Sequence, residues 1–287
     1  MDNKPSKISK VEIKSLWKRF DLTWSLQPDV NILSGINGSG KSTILDCITG
    51  LFLSKESKFV QSIKVVFDNG QFIAFERTNS TFITSYNRSL NVDIISTFDN
   101  TISELGSPDE NVKTELDRDI FNLQKKYLDY QLNIGKKVLA AVTQNNGHSQ
   151  EAVLNITKQK EKFLEIIDNL FKDTGKKINR EKNEMVFLNG TDEITAYQLS
   201  SGEKQILVIL LTVLIQDNKP SILFMDEPEI SLHFDWQKKL IQYIRTLNPN
   251  VQIILATHSP AIIMEGWRDK VSDVRDLITL DRQKTKT

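Results

Sequence analysis

Gly35-Ile36-Asn37-Gly38-Ser39-Gly40-Lys41-Ser42-Thr43 is the stretch that decides the fold. It follows the apolar run Val30-Asn31-Ile32-Leu33, which reads as a strand. It precedes a helix expected over roughly Lys41 to Leu53, with Ile44, Leu45, Ile48 and Leu51 on one face. Gly-x-x-x-x-Gly-Lys-Ser/Thr between a strand and a helix is a phosphate loop. Its glycines let backbone N–H groups turn inward around phosphate oxygens, where side chains would obstruct them. The helix start adds unpaired N–H donors and the positive end of its dipole. On this reading Asn37, Gly38, Ser39 and Gly40 wrap the phosphates of ATP. Lys41 reaches the β- and γ-phosphates, Ser42 ligates Mg2+ and Thr43 lies toward the α-phosphate. A glycine-rich turn reproduces the full pattern by accident in only about one chain in a hundred of this length.

Downstream, Ser221-Ile222-Leu223-Phe224-Met225-Asp226-Glu227 is an apolar strand that ends in two carboxylates. The C-terminal ends of strands in an open α/β sheet form the ligand crevice, so both acids are expected to face the nucleotide. Asp226 suits the Mg2+ shell. Glu227 suits a general base for the attacking water. Such a strand says little by itself and gains its meaning from the phosphate loop upstream.

The remaining segments organise around these two. Strands are expected between Ile8 and Gly35, then at Ser62–Phe67, Gln71–Glu76 and Thr81–Ser85, the first two of these joined by the turn Asp68-Asn69-Gly70. From Asn111 to Phe171 the period becomes helical. Leu116, Ile120, Leu123, Tyr127, Tyr130, Ile134, Val138 and Ala141 recur at steps of three and four. After a polar break at Gln144–Gln150 the stripe resumes with Val153, Ile156, Phe163, Ile167 and Leu170. Two antiparallel helices result, either a helical subdomain packed on the core or a hairpin that docks a partner. Its many lysines are interspersed with acids and read as a solvated face. The last third returns to α/β alternation, with Val251–Ala256 a second buried parallel strand.

Composition sets limits. Of 287 residues, 39% are hydrophobic and 26% charged, the balance of a folded globular chain. The 37 basic and 37 acidic side chains cancel, so any binding of nucleic acid must use a local patch. A lone cysteine, Cys47, cannot form an intramolecular disulfide and fits a reducing compartment. The opening MDNKPSKISK lacks the apolar core of a signal peptide, and the run Ile206–Ile215 is too short to span a bilayer. The expectation is a cytoplasmic chain with no membrane segment.

Leu199-Ser200-Ser201-Gly202-Glu203-Lys204-Gln205 supplies the class. Ser200 and Glu203 have capping-box spacing before an apolar helix, so the residues could simply start that helix. The stretch also closely resembles the signature motif of ABC-class ATPases. The resemblance implies that Ser200, Ser201, Gly202, Glu203 and the helix start grip the γ-phosphate bound to another subunit. ATP would then be hydrolysed only in a head-to-tail dimer. Pro228-Glu229-Ile230-Ser231-Leu232-His233 resembles the D-loop of that family. His258, which ends the strand Ile253-Ile254-Leu255-Ala256-Thr257, resembles its switch histidine, a contact to the γ-phosphate and the attacking water. His148, by contrast, reads as structural. No glutamine stands at an assignable Q-loop position, where the segment Thr97 to Asp99 falls. Trp17 and Phe20 are candidates for an adenine contact or for strand core.

The resemblance implies an α/β fold: an ABC ATPase head with a phosphate-loop core sheet, an antiparallel β-subdomain and a helical hairpin insertion. Residues 1–104 and 181–287 would form the two halves of the head and residues 105–180 the insertion. Ser-Ser-Gly-Glu-Lys-Gln, Asp-Glu-Pro-Glu and Ser-Leu-His are similar to the SMC, RecF-like and OLD-family branch. Val92–Asp99 and Gly266–Val271 resemble the stand-alone ATPases of bacterial anti-phage systems, such as Septu and some retrons. Only Ser259–Thr287 follows His258, so no OLD-type nuclease domain is expected. A damaging activity would belong to a separate nuclease, reverse transcriptase or toxin. A DNA-repair clamp of RecF/SMC type, with bound nucleic acid, is the alternative. A transporter's ATP-binding subunit fits the motif variants less well.

Overall fold

Residues 4–86, 89–95, 110–144 and 149–280 are described by the computed structural model. In chain order they form β1 (Ile8–Leu16), β2 (Phe20–Ser25), β3 (Val30–Ser34), α1 (Lys41–Phe52), β4 (Ser62–Phe67), β5 (Phe72–Glu76), β6 (Thr81–Thr84) and β7 (Asn91–Ile95). Then come α2 (Glu115–Gln144), α3 (Ser149–Leu170), β8 (Lys176–Ile178), β9 (Val186–Asn189), β10 (Asp192–Thr195), α4 (Ser201–Ile215), β11 (Ser221–Asp226) and α5 (Phe234–Leu247). The last described elements are β12 (Val251–Ala256), α6 (Pro260–Met264), β13 (Val271–Asp273), α7 (Val274–Leu277) and β14 (Ile278–Leu280). Two units result. One comprises Met1–Ser96, Lys219–Ile230 and Asn250–Thr287, the other Thr97–Asn218 and Ser231–Pro249.

The first unit holds two sheets. One is parallel, in the order β13-β3-β12-β11-β7. Every residue of β12, and of β11 up to Met225, is buried, as continuous apolar runs in a doubly covered parallel sheet require. The other sheet is antiparallel, in the order β14-β2-β1-β4-β5-β6. The turn expected at Asp68-Asn69-Gly70 joins β4 to β5, with Gly70 at φ 81°. Helix α1 packs on β11 and β12 as well as on β4 and β5. This explains why burial extends beyond one stripe to Cys47, Thr49 and Gly50. The apolar cluster around α1 draws Trp24, Phe67 and Phe75 from one sheet and Phe224 and Ile254 from the other.

The second unit is mainly helical. The inner face of α2 buries Leu116, Ile120, Leu123, Tyr127, Tyr130 and Ile134. The helix packs on α3 and α4. A three-stranded antiparallel sheet, β10-β9-β8, follows the hairpin and does not appear in the sequence reading. Helix α4 starts from the capping box expected at Ser200 and Glu203. The next residue, Lys204, donates to Asp117 Oδ1 at 2.7 Å, and this pair is 12% and 3% exposed. Asp117 Oδ2 accepts the N–H groups of Lys113 and Thr114 ahead of α2.

Breaking a buried pair leaves a charge uncompensated, which costs more than the pair itself contributes. Lys204→Met is therefore expected to cost about 3 kcal/mol in urea unfolding, at the low end because two N–H groups still serve Asp117. Adding Asp117→Asn should recover about 1 kcal/mol or more of that loss.

Candidate nucleotide-binding site

Strands β3, β11 and β12 finish level. Asp226 pairs with Ala256, and Ala256 pairs with Leu33. The loop after β3, the two carboxylates after β11 and Thr257-His258 after β12 thus emerge side by side. This is the C-terminal edge, where open parallel sheets hold their ligands.

In the loop, Gly38 and Gly40 have φ of 79° and 94°, values that glycine adopts readily. The Ser39 N–H donates to the Ile36 carbonyl at 3.0 Å, and the Ile44 N–H donates to the Gly40 carbonyl at 2.9 Å. The helical ladder of α1 therefore begins at Gly40, and the N–H groups of Lys41, Ser42 and Thr43 have no intrahelical acceptor. The Ser39 hydroxyl is buried with no hydrogen-bond partner among the described residues. The indole of Trp17 lies directly against Gly40, where a β-carbon would overlap the ring. Phe20 stands edge-on behind it, centroids 6.4 Å apart at 87°.

Lys41 is buried and contacts Gly35 O at 3.4 Å and His258 Nε2. An ammonium only donates, so the ring nitrogen accepts. Burial holds the Lys41 ammonium below the usual lysine range, opposed by the nearby carboxylates of Glu227, Asp226 and Glu229. Burial likewise pushes the Asp226 carboxyl above its usual range, opposed by a hydrogen bond from the Ser42 hydroxyl. Ser42 and Asp226 are thus neighbours. Glu227 turns away from the strand in the left-handed region, φ 47°, unusual for a non-glycine residue. Its N–H donates to the Ala256 carbonyl at 2.8 Å, and its Oε1 stands 3.4 Å from His258 Nε2.

One residue escaped the sequence reading as a site residue. Glu229 Oε1 accepts the Thr257 hydroxyl at 2.5 Å and the N–H groups of His258 and Ser259 at 2.9 and 3.1 Å. This carboxylate clamps the end of β12 and sets where His258 stands. The third acid of Asp-Glu-Pro-Glu was the available signal. Glu229→Ala leaves the Thr257 hydroxyl and the His258 N–H without this acceptor, while the Ser259 N–H keeps Thr257 Oγ1 at 2.8 Å. It is expected to cost about 3 kcal/mol in urea unfolding, with Glu229→Gln losing less because an amide oxygen still accepts.

The signature residues belong to the second unit. Ser200 caps α4, with its Oγ accepting the Glu203 N–H. Glu203 Oε2 accepts the Ser200 N–H at 2.9 Å, while Oε1 accepts Thr174 Oγ1 at 2.8 Å and Lys176 Nζ at 2.9 Å. Burial opposes ionisation of Glu203, yet these hydrogen bonds outweigh it and hold the carboxyl below its usual range. Its side chain is committed inward. Ser201 is exposed, and Gly202 packs so closely on the Ser231 carbonyl that a β-carbon would collide with backbone. His233 caps α5. The segment Thr97 to Asp99 and His148 lie outside the described residues. Among the described residues no helix is long and apolar enough to cross a membrane.

Comparison with known proteins places this arrangement. Residues 13–62 match the family model described as P-loop containing region of AAA domain. The chain is 25% identical over 193 residues to the probable ATPase of retron Vc95 from Vibrio cholerae serotype O1 biovar El Tor, covering 62% of this chain and 37% of that one. It is 25% identical over 292 residues to the Septu protein PtuA of Bacillus thuringiensis, covering 89% and 72%. The chain thus spans little more than a third of the retron protein. Among solved structures, an SMC head bound to the C-winged helix domain of ScpA aligns with a TM-score of 0.53 at 16% identity, covering 90% of this chain and 92% of that one. The SMC head of Thermotoga maritima aligns at 0.51 and 16%, covering 93% and 94%. These two likenesses establish an SMC-head fold. With residues 54–265 matching its model, the chain belongs to the family described as AAA domain, putative AbiEii toxin, Type IV TA system.

Proposed function

We propose that two copies close head to tail around ATP, that Glu227 drives hydrolysis, and that this cycle governs a separate effector in anti-phage defence. The level ends of β3, β11 and β12 carry this reading, because they gather Lys41, Ser42, Asp226, Glu227 and His258 at one edge. The free N–H groups of Lys41–Thr43 and the buried Ser39 hydroxyl are donors suited to phosphate oxygens. Lys41 neutralises the β- and γ-phosphates. His258 positions the attacking water, and Glu227 takes its proton.

Mg2+ fits the donor set. Ser42 and Asp226 offer two adjacent hard oxygens, and an octahedral ion draws the rest of its shell from phosphate and water. When bound, it would neutralise charge on the transferred phosphoryl group. Among the described residues no cluster of three His, Cys, Asp or Glu is arranged to hold a metal. Trp17, pressed on Gly40, is assigned the adenine face. Stacking of this kind contributes about 0.5–1.5 kcal/mol, so Trp17→Ala should raise the KM for ATP about 2- to 13-fold with kcat retained.

From the second copy, the exposed Ser201 and the α4 start would close on the γ-phosphate. Glu203 serves by holding Ser200 and Gly202 in place. The defence setting rests on the likeness to retron and Septu proteins. Recovery of the Glu227→Gln protein from its native host with ATP and Mg2+ tests it. A stoichiometric nuclease, reverse transcriptase or toxin is the expected companion. DNA recovered without any protein partner would replace this reading with a repair clamp.

A further inference from the structure

Helix α2 carries a second apolar stripe that no other described residue covers. Beside the buried face, Leu132, Leu139 and Val142 are 63%, 66% and 54% exposed, and Leu128 is half-buried. With Lys125 and Gly135 they run 125, 128, 132, 135, 139, 142, alternating steps of three and four. That is the 3.5-residue repeat of a coiled-coil seam, extending about 27 Å at 1.5 Å per residue. Scattered exposed leucines call for no explanation, whereas a continuous seam does. Gly135 sharpens the point. It sits inside a helix, at a cost of about 1 kcal/mol relative to alanine, and none of the described residues lies within 4 Å of where its β-carbon would stand. Among the described residues the notch serves no contact.

We propose that this face of α2 docks antiparallel on the same face of a second copy. The two-fold axis falls between Asn133 and Ile134. Leu128 then meets Leu139 of the second copy, Leu132 enters the notch at Gly135, and Lys125 lies beside Val142. Asp129 and Lys136 flank the seam, both exposed and without an ion pair of their own among the described residues. In the antiparallel register Asp129 of each copy faces Lys136 of the other, giving two symmetric pairs. A parallel register would set Lys125 against Lys125 and leave two empty notches face to face. The charges and the notch therefore select both the occupant and its direction. This interface is separate from the nucleotide-dependent closure and would link one pair of heads to another.

The test uses the full chain without nucleotide and with EDTA, in a Cys47→Ser background. Leu128→Cys and Leu139→Cys proteins are oxidised separately and mixed. A disulfide dimer is expected only in the mixture, because each residue stands about 16 Å from its own copy across the axis, beyond disulfide reach. Sedimentation should show Gly135→Leu weakening self-association at least about tenfold, while thermal stability is kept or raised by the better helix former. A disulfide in either single variant, no disulfide in the mixture, or unchanged association of Gly135→Leu would each overturn the proposal.

Discussion

Glu227→Gln is expected to bind ATP as the parent does and to lose hydrolysis by about 10²–10⁴-fold, the usual share of a general base. The substitution is nearly isosteric, so the left-handed turn at φ 47° and the bond from its N–H to the Ala256 carbonyl have no reason to change. What disappears is the carboxylate oxygen 3.4 Å from His258 Nε2, on the side of the loop where Lys41 and Ser42 gather. On the proposed reading nucleotide affinity rests on Lys41, Ser42 and the loop N–H groups; the substitution removes one of the three carboxylates that favour the Lys41 ammonium, and Asp226 and Glu229 remain. Phosphate release under single-turnover conditions, set beside equilibrium nucleotide binding, separates the two properties. Turnover above a tenth of the parent would remove Glu227 from the role of base. Lost binding would mean that the turn had collapsed.

The residues legible in the sequence were those whose chemistry is local. A phosphate loop must have its glycines, lysine and serine at fixed offsets, and the strand and helix around it announce themselves by period. The capping box at Ser200 and Glu203 is equally local, and it formed as read. Glu229 was not legible as a clamp, because its donors are Thr257, His258 and Ser259, some thirty residues away and on another strand. Only the register of β11 on β12 brings them together. The three-stranded sheet was missed for a different reason. Lys176–Ile178 and Asp192–Thr195 are short and polar, with almost no alternation to detect. Asn189-Gly190 was a usable turn signal, and Gly190 does take the left-handed φ of 65°. The second stripe on α2 was hidden by the first. The stronger buried period through Leu123, Tyr127 and Tyr130 absorbs attention that Leu132, Gly135 and Leu139 also deserve.

Gly202→Ala should abolish turnover yet leave ATP binding intact, and its defect should be repaired by a partner defective elsewhere. A β-carbon at Gly202 collides with the Ser231 carbonyl, a backbone atom that cannot rotate away, so the start of α4 must shift. In the proposed head-to-tail pair, that helix start acts on nucleotide held by the other copy. Lys41→Ala has the reverse fault, with an intact signature and no grip on its own phosphates. Mixing the two inactive proteins forms hybrid pairs in which one composite site carries both defects and the other carries neither. Half of the pairs are hybrids under random assortment, each with one good site of two, so about a quarter of parental turnover per chain should return. If each copy used its own signature, every chain in the mixture would stay defective and no activity would return. Mixing therefore distinguishes action in trans from action in cis without any structure of the closed dimer. A return to about a quarter would also require that hydrolysis at one site proceed while the opposite site is empty.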